Sequence, residues 1–347
     1  MLQEKGGPQR NMRAYELRGH GLENLALAER PEPRPGPGQL LVRMRAASLN
    51  YRDLLVARGR YGRGGVRLPL VPLSDGAGEV VETGPGATRF GAGDRVAGAF
   101  FQRWVDGPLD EEKAASALGG AVDGVLAERV VLEEAGAVRV PDHLSFEEAA
   151  ALPCAGVTAW VGLFALGRLR PGETVLAMGT GGVSIFALQF AKMAGARVIL
   201  TSSSDEKLER GRELGADETI NYRETPDWDL RARELTGGRG VDHILEVGGA
   251  GTLPRSLRAV RDGGHLTLVG LLSGERADLE EAAKNERGVR VDSVYVGSLR
   301  HFEDMLRDIE RARLRPVIDR VFAFEEARQA YEHLQSGRHF GKVVIRV

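Results

Sequence analysis

The stretch Thr174-Val175-Leu176-Ala177-Met178-Gly179-Thr180-Gly181-Gly182-Val183-Ser184 runs from five apolar or small residues straight into glycines, and a helical pattern follows over 183–194. Glycines at such a strand-to-helix junction permit a tight turn. They also let the backbone approach a pyrophosphate, which then sits on the helix N-terminus. The last small position holds Ser184 instead of glycine. A GxG turn alone is also what an ordinary strand–helix connection looks like, so its surroundings decide the reading.

Those surroundings repeat the pattern. Short buried runs at 197–202, 243–247, 265–269 and 290–296 alternate with helical stretches at 205–214, 252–260 and 279–285. This alternation predicts βαβ units and a doubly wound parallel sheet of the Rossmann kind, covered on both faces, and places a dinucleotide on the glycine turn. Upstream, 146–166 is Ala-rich and apolar at helical spacing, broken by Pro153. The first half is β-rich: 40–47 alternates, 78–81 starts another strand, and Gly-rich turns lie at 84–86 and 91–94. Residues 31–38 (PEPRPGPG) are a surface connection. After Ser298 come a helix, a strand at 317–321, a helix over 324–336 and a final strand at 342–347. The expected division is 1–150, β-rich; 151–297, dinucleotide-binding; and 298–347, a closing segment.

The chain has 347 residues, enough for two domains with substantial cores. With 47 Lys plus Arg against 49 Asp plus Glu, its net charge of −2 gives no reason to expect nucleic acid or an anionic membrane as partner. No run reaches the roughly 18 apolar residues of a membrane span. The first residues (MLQEKGGPQRN) lack the apolar centre of a signal peptide. A single cysteine, Cys154, excludes an intramolecular disulfide and argues against a cysteine-built metal site. Together these point to a cytoplasmic protein.

The end of the second strand bears on the choice of cofactor. An Asp or Glu about 20 residues past the glycines would bind the 2′-hydroxyl of NAD. Here Thr201-Ser202-Ser203-Ser204 offers hydroxyls, and the first carboxylate is Asp205. Hydroxyls accept a 2′-phosphate without repulsion, and Lys207 adds positive charge. Tyr222 follows the third strand and leans over the same pocket, or merely packs. NADP(H) is therefore expected ahead of NAD(H), on Gly179, Gly181, Gly182, Val183, Ser202, Ser203, Lys207 and Tyr222, with Val247 at the end of a later strand.

Several motifs now act jointly: Ala47-Ser48-Leu49-Asn50-Tyr51-Arg52-Asp53, Ser74-Asp75-Gly76-Ala77-Gly78-Glu79-Val80, Gly93-Asp94-Arg95-Val96, Leu152-Pro153-Cys154-Ala155-Gly156-Val157-Thr158-Ala159, Leu214-Gly215-Ala216-Asp217 and Gly341-Lys342-Val343-Val344. With the glycine turn they resemble the medium-chain dehydrogenases/reductases from Met12 to the end of the chain. The resemblance implies a GroES-like β-rich catalytic domain, a Rossmann domain and a C-terminal return to the catalytic domain. It further implies a cleft between them, hydride transfer from a nicotinamide, and a dimer or tetramer, of which a homodimer is expected.

By the same motifs, the zinc-ligand positions of the family's alcohol dehydrogenases fall on Asn50, Ser74 and Cys154, with Asp75 in the acidic place. Asn and Ser are poor zinc ligands, and the four cysteines of the structural zinc lobe are missing. No metal is expected. Without a Lewis acid, reduction of an electrophilic acceptor (a quinone, an enone or a similar carbonyl) is expected over alcohol oxidation. The alternatives are zinc-type alcohol dehydrogenase activity recruiting metal through Cys154 and Asp75, and a cofactor-binding protein with little turnover. Candidate donors to the developing oxyanion are Asn50, Tyr51 and Tyr61. Tyr61 lies in a segment resembling that of the proton-donating Tyr of zinc-free enoyl reductases, or else packs at a loop edge. Thr158 falls near the nicotinamide. Cys154 reads as a small apolar residue at the domain junction, and the cluster Arg52, Arg58, Arg60, Arg63 and Arg67 as a solvated face. The loops 61–70 and 100–123 wall the cleft. The strand at 290–296 is expected to pair with its symmetry mate, so that a charge at Val294 yields monomers.

Overall fold

The computed structural model of the chain describes residues 10–62, 65–269 and 286–347. A hairpin of β1 (Asn11–Leu17) and β2 (Leu25–Pro31) leads into β3 (Gln39–Leu49), β4 (Asp75–Thr83), β5 (Arg95–Gly98), β6 (Arg129–Glu133) and β7 (Ala137–Arg139). The second half supplies β8 (Thr174–Met178), β9 (Arg197–Ser202), β10 (Glu218–Asn221), β11 (Val241–Glu246), β12 (Val260–Leu268) and β13 (Arg290–Ser293). These six pair in parallel in the order β10-β9-β8-β11-β12-β13. Counted from β8 this is 3-2-1-4-5-6, the doubly wound dinucleotide-binding order. All five residues of β8 are buried, as a central parallel strand with both faces covered requires.

The chain ends by returning. β14 (Ile318–Ala323) and β15 (Lys342–Arg346) join the first half in a seven-stranded sheet ordered β14-β15-β3-β4-β5-β7, with β6 pairing β3. β15 lies antiparallel to β3, with Val344 opposite Ser48. The last residues of the chain are thereby brought beside the segment that follows β3.

Between the sheets runs the helical segment expected at 146–166. Ser145 caps it, its Oγ accepting from the Glu148 N–H (3.1 Å) while the Glu148 carboxylate accepts from the Ser145 N–H (2.7 Å). Pro153 lacks the N–H that a regular turn needs. The chain widens into π-helical turns over Leu152–Gly156 and again over Val161–Leu166, on either side of the helix Val157–Trp160. One apolar core joins this rod to β8, β9, the helix Gly182–Met193 and the helix Leu299–Ala312. A second fills the other face of the parallel sheet around Leu176, Ile199, Ile244 and Trp228, and a third lies within the β-rich half around Leu17, Met44, Leu126 and Tyr331.

Several expectations are corrected. The helices Tyr51–Ala57 and Trp228–Glu234 are additional to the elements read from the sequence, and the third strand, before Tyr222, is β10. The helix expected at 279–285 and Arg63 lie outside the described residues. In the segment 100–123, Phe100, Phe101 and Trp104 are core residues packed edge to face, and Glu111–Ala114 is a helical turn. Val294 is 7% exposed and belongs to the core beside the helical rod. A charge there breaks the subunit's own packing, so it does not test pairing between subunits. Among the described residues, β13 is an outer strand paired with β12.

Candidate active site

The glycine turn lies at the C-terminal end of β8, where the strand order reverses and doubly wound sheets bind their ligands. Gly179 has φ +75°, and a Cβ added there would meet nothing within 4 Å, so the turn faces open space. The Ser184 hydroxyl donates to the Met178 carbonyl (2.5 Å), tying the first helical turn back to the strand. Gly181 caps the 12-residue helix Gly182–Met193 without a side-chain cap, which leaves the helix end fit for a pyrophosphate. Across the turn, the Gly341 N–H donates to the Thr180 carbonyl (3.0 Å).

At the end of β9, Ser202 is buried and its hydroxyl accepts from the Ser204 N–H (3.3 Å), while Ser203 is half-buried. The Tyr222 N–H donates to the Ser202 carbonyl, which brings Tyr222, 42% exposed, beside the serines. Asp205 accepts from the Asn221 side chain (2.8 Å), so its carboxylate is occupied on the β10 side. The Lys207 ammonium donates to the Gly337 carbonyl (2.6 Å), and burial lowers its pKa. Thr158 is buried in the helix Val157–Trp160. Val247 follows β11 on a turn organised by Glu246. That buried carboxylate accepts from the Gly248 and Gly249 N–H groups (2.7 and 3.1 Å) and from the Thr252 hydroxyl (2.6 Å).

The second cluster forms where β3, β4, β15 and the helical rod converge. Asn50 is 8% exposed, and its backbone N–H donates to Asp53 Oδ2 (2.7 Å). Its side-chain Oδ1 accepts from the Lys342 ammonium at 2.6 Å, and Nδ2 is buried with no hydrogen-bond partner among the described residues. The Lys342 ammonium also donates to the Leu49 carbonyl (2.8 Å) and lies 3.8 Å from Asp75 Oδ2. Asp75 accepts from the Ser74 hydroxyl (2.6 Å) and from the Cys154 N–H (2.9 Å). Burial pushes the Cys154 thiol well above its ordinary pKa, and the Asp75 carboxylate adds to the effect. Burial also raises Asp53 to about 6 against the opposing pull of Arg52.

Arg52 corrects the solvated reading of the arginine cluster. Arg58, Arg60 and Arg67 are exposed, but Arg52 is 9% exposed. Its Nη1 donates to the Leu118 carbonyl (2.9 Å) and lies 3.3 Å from Asp53, while Nε and Nη2 are buried without partners among the described residues. Tyr61 is half-buried against this guanidinium. Tyr51, 38% exposed, is not drawn into the buried cluster.

Residues 36–142 match the alcohol dehydrogenase GroES-like domain, and residues 182–311 match the zinc-binding dehydrogenase domain. A zinc-type alcohol dehydrogenase-like protein of Schizosaccharomyces pombe is 43% identical over 334 residues, covering 94% of this chain and 96% of that protein. The chain belongs to the medium-chain dehydrogenase/reductase superfamily. This medium-chain oxidoreductase is also similar to a quinone oxidoreductase of Pseudomonas aeruginosa, 34% identical over 335 residues that cover 94% of this chain and 96% of that one. Its fold matches the crystal structure of a putative alcohol dehydrogenase from Sinorhizobium meliloti 1021 with a TM-score of 0.89, at 43% identity and full coverage of both chains.

Sequence reasoning gave no place in the site to Lys342, Arg52 or Glu246. Lys342 opens the final strand, and the sequence around it carries no sign that the lysine is buried. The signal for Glu246 was a lone carboxylate closing an apolar strand just before two glycines.

Proposed function

We propose that this oxidoreductase uses NADP(H) to pass hydride to a quinone, an enone or a similarly activated carbonyl acceptor, without zinc. The observation that carries the reading is Asn50: a buried side-chain N–H without a partner, at the motif position where zinc-holding members place their first ligand. An unpartnered buried donor is costly unless an acceptor arrives. The oxygen of a substrate gaining negative charge during reduction is such an acceptor.

Bound nicotinamide supplies the hydride; the chain does the rest. The turn at Gly179, Gly181, Gly182 and Val183 holds the pyrophosphate. Ser202, Ser203 and Lys207, with Tyr222 over them, receive the 2′-phosphate, and Thr158 and Val247 flank the nicotinamide end. Asn50 Nδ2 steadies the developing oxyanion. The Tyr61 hydroxyl delivers the proton, with Tyr51 at the mouth of the site.

The donor set is a poor fit for zinc. Ser74 spends its proton on Asp75, and Asn50 Oδ1 is engaged by an ammonium; neither an amide nor a hydroxyl is a strong zinc ligand. A soluble cytoplasmic homodimer completes the reading, and sedimentation at a monomer mass would remove the dimer from it.

The deciding experiment is NADPH oxidation in EDTA against quinones and α,β-unsaturated ketones, with NADH in parallel and zinc measured in the same preparation. Turnover that survives EDTA and prefers NADPH is expected. Activity that disappears with EDTA and returns with zinc would overturn the zinc-free reading, and silence across the panel would leave a cofactor-binding role.

A further inference from the structure

The geometry points to Lys342 as the resident cation of this site, a positioning residue that fixes the Asn50 amide with its N–H edge toward the acceptor. This rests on the reading of Asn50 as the oxyanion donor. An amide can present either its oxygen or its nitrogen, and the two are related by a simple flip. An ammonium has donors only. With Lys342 Nζ at 2.6 Å, the atom facing it must be the Asn50 oxygen, and Nδ2 must turn the other way. Nδ2 is the atom left buried without a partner among the described residues. Lys342 therefore decides which half of the amide the substrate meets.

Two glycines are fitted to this side chain. A Cβ on Gly182 would lie 2.7 Å from Lys342 Cδ and 3.2 Å from Ala155 Cβ, so a larger residue would close the channel that carries the lysine stem. Gly341 has φ +85°, and a Cβ there would lie 2.4 Å from the Val317 carbonyl oxygen; the bend that launches β15 toward the site admits glycine alone.

The charges are balanced as well. Arg52 and Lys342 face Asp53 and Asp75, and all four are at least nine-tenths buried. Removing water from such groups is tolerable only when they are paired. With two cations already matched to two carboxylates, no net negative charge remains to hold a divalent ion. The ammonium reaches the pocket from β15, 292 residues beyond its amide partner.

The test uses 4-nitrophenol as a probe with NADP+ bound, because its phenolate resembles the developing oxyanion and its absorption band reports ionisation. The wild type should bind the phenolate at least about tenfold more tightly than does Lys342→Met. It should show the same margin over Asn50→Ala, as expected for loss of one oriented donor. Lys342→Gln, which can still donate to Asn50 Oδ1, should fall between and guards against misfolding of the Met variant. In turnover, Lys342→Met should lower kcat with the acceptor KM and the NADPH Kd within about threefold of wild type. In an Asn50→Ala background the same substitution should add little, since coupled residues are not additive.

Unchanged phenolate binding in Lys342→Met, additive losses, or a weakening of NADPH that matches the loss of kcat would each overturn the assignment. A wild type that oxidises no NADPH defeats the functional reading, yet still binds phenolate through Lys342 and Asn50 if this inference holds.

Discussion

The guanidinium of Arg52 lies 4.4 Å from the centre of the Tyr61 ring and 4.9 Å from that of Phe100. A buried cation packed against two aromatic rings ties the loop that carries Tyr61 to the helix following Asn50. A cation–π contact of this kind is worth about 0.5–2 kcal/mol, so Tyr61 has a structural duty separable from any chemistry of its hydroxyl.

Tyr61→Phe keeps the ring over Arg52 and removes only the hydroxyl. Unfolding in urea should be unchanged, while kcat falls by about 100-fold, the lower end for loss of a proton donor. Full kcat in this variant would return Tyr61 to a packing role. Arg52→Met, by contrast, strands the Asp53 carboxylate and should cost about 3–5 kcal/mol in the same urea measurement.

Cofactor choice is tested at Ser203, the half-buried serine, because the Ser202 hydroxyl is already engaged by the Ser204 N–H. A carboxylate from Ser203→Asp should repel the 2′-phosphate and weaken NADPH by at least about tenfold, or 1.4 kcal/mol, with NADH within about threefold. Titration of both cofactors by fluorescence reads this directly. Equal losses would mean that the phosphate binds elsewhere.

Acid stability should depend on His265. Burial, followed by the charges of Arg290 and His243, lowers its pKa from 6.5 to about 4 despite the opposing carboxylate of Asp292, 3.0 Å away. A base depressed in the fold stays neutral there while the unfolded chain takes up the proton. Its contribution is therefore whole above pH 6.5 and drains away as the pH falls toward 4, by at most about 3 kcal/mol. His339 is lowered to about 4 as well, chiefly by burial. His265→Gln should therefore reduce the stability lost between pH 7 and pH 4.5 in urea titrations. An unaltered pH slope would show that His265 is not a source of it.

Gly182→Ala should reproduce the Lys342→Met defect without touching the charge, since the new methyl falls on the lysine stem. Loss of phenolate preference is the readout, and a crystal structure with Nζ still on Asn50 would refute the steric argument.

The parallel sheet was legible because most of its strands are short apolar runs followed by residues at helical spacing. The glycine turn was legible for the same reason. The centre of the site was not. Lys342 heads a strand of apolar residues and carries no mark of burial; its partners, Leu49, Asn50 and Asp75, are found only once β15 lies beside β3. Arg52 sits in a run of arginines whose other described members are exposed, and only the placement of Tyr61, Phe100 and Leu118 sets it apart. Val294 reads as an edge residue until the helical rod packs on it.

The bond from the Gly341 N–H to the Thr180 carbonyl acts as a rivet between the two sheets. If the cleft swings open to admit cofactor, the rivet must either shear or serve as the axle. In the second case the residue next to the axle travels least. That residue is Lys342, so in that case the ammonium on Asn50 Oδ1 would be displaced least by the opening.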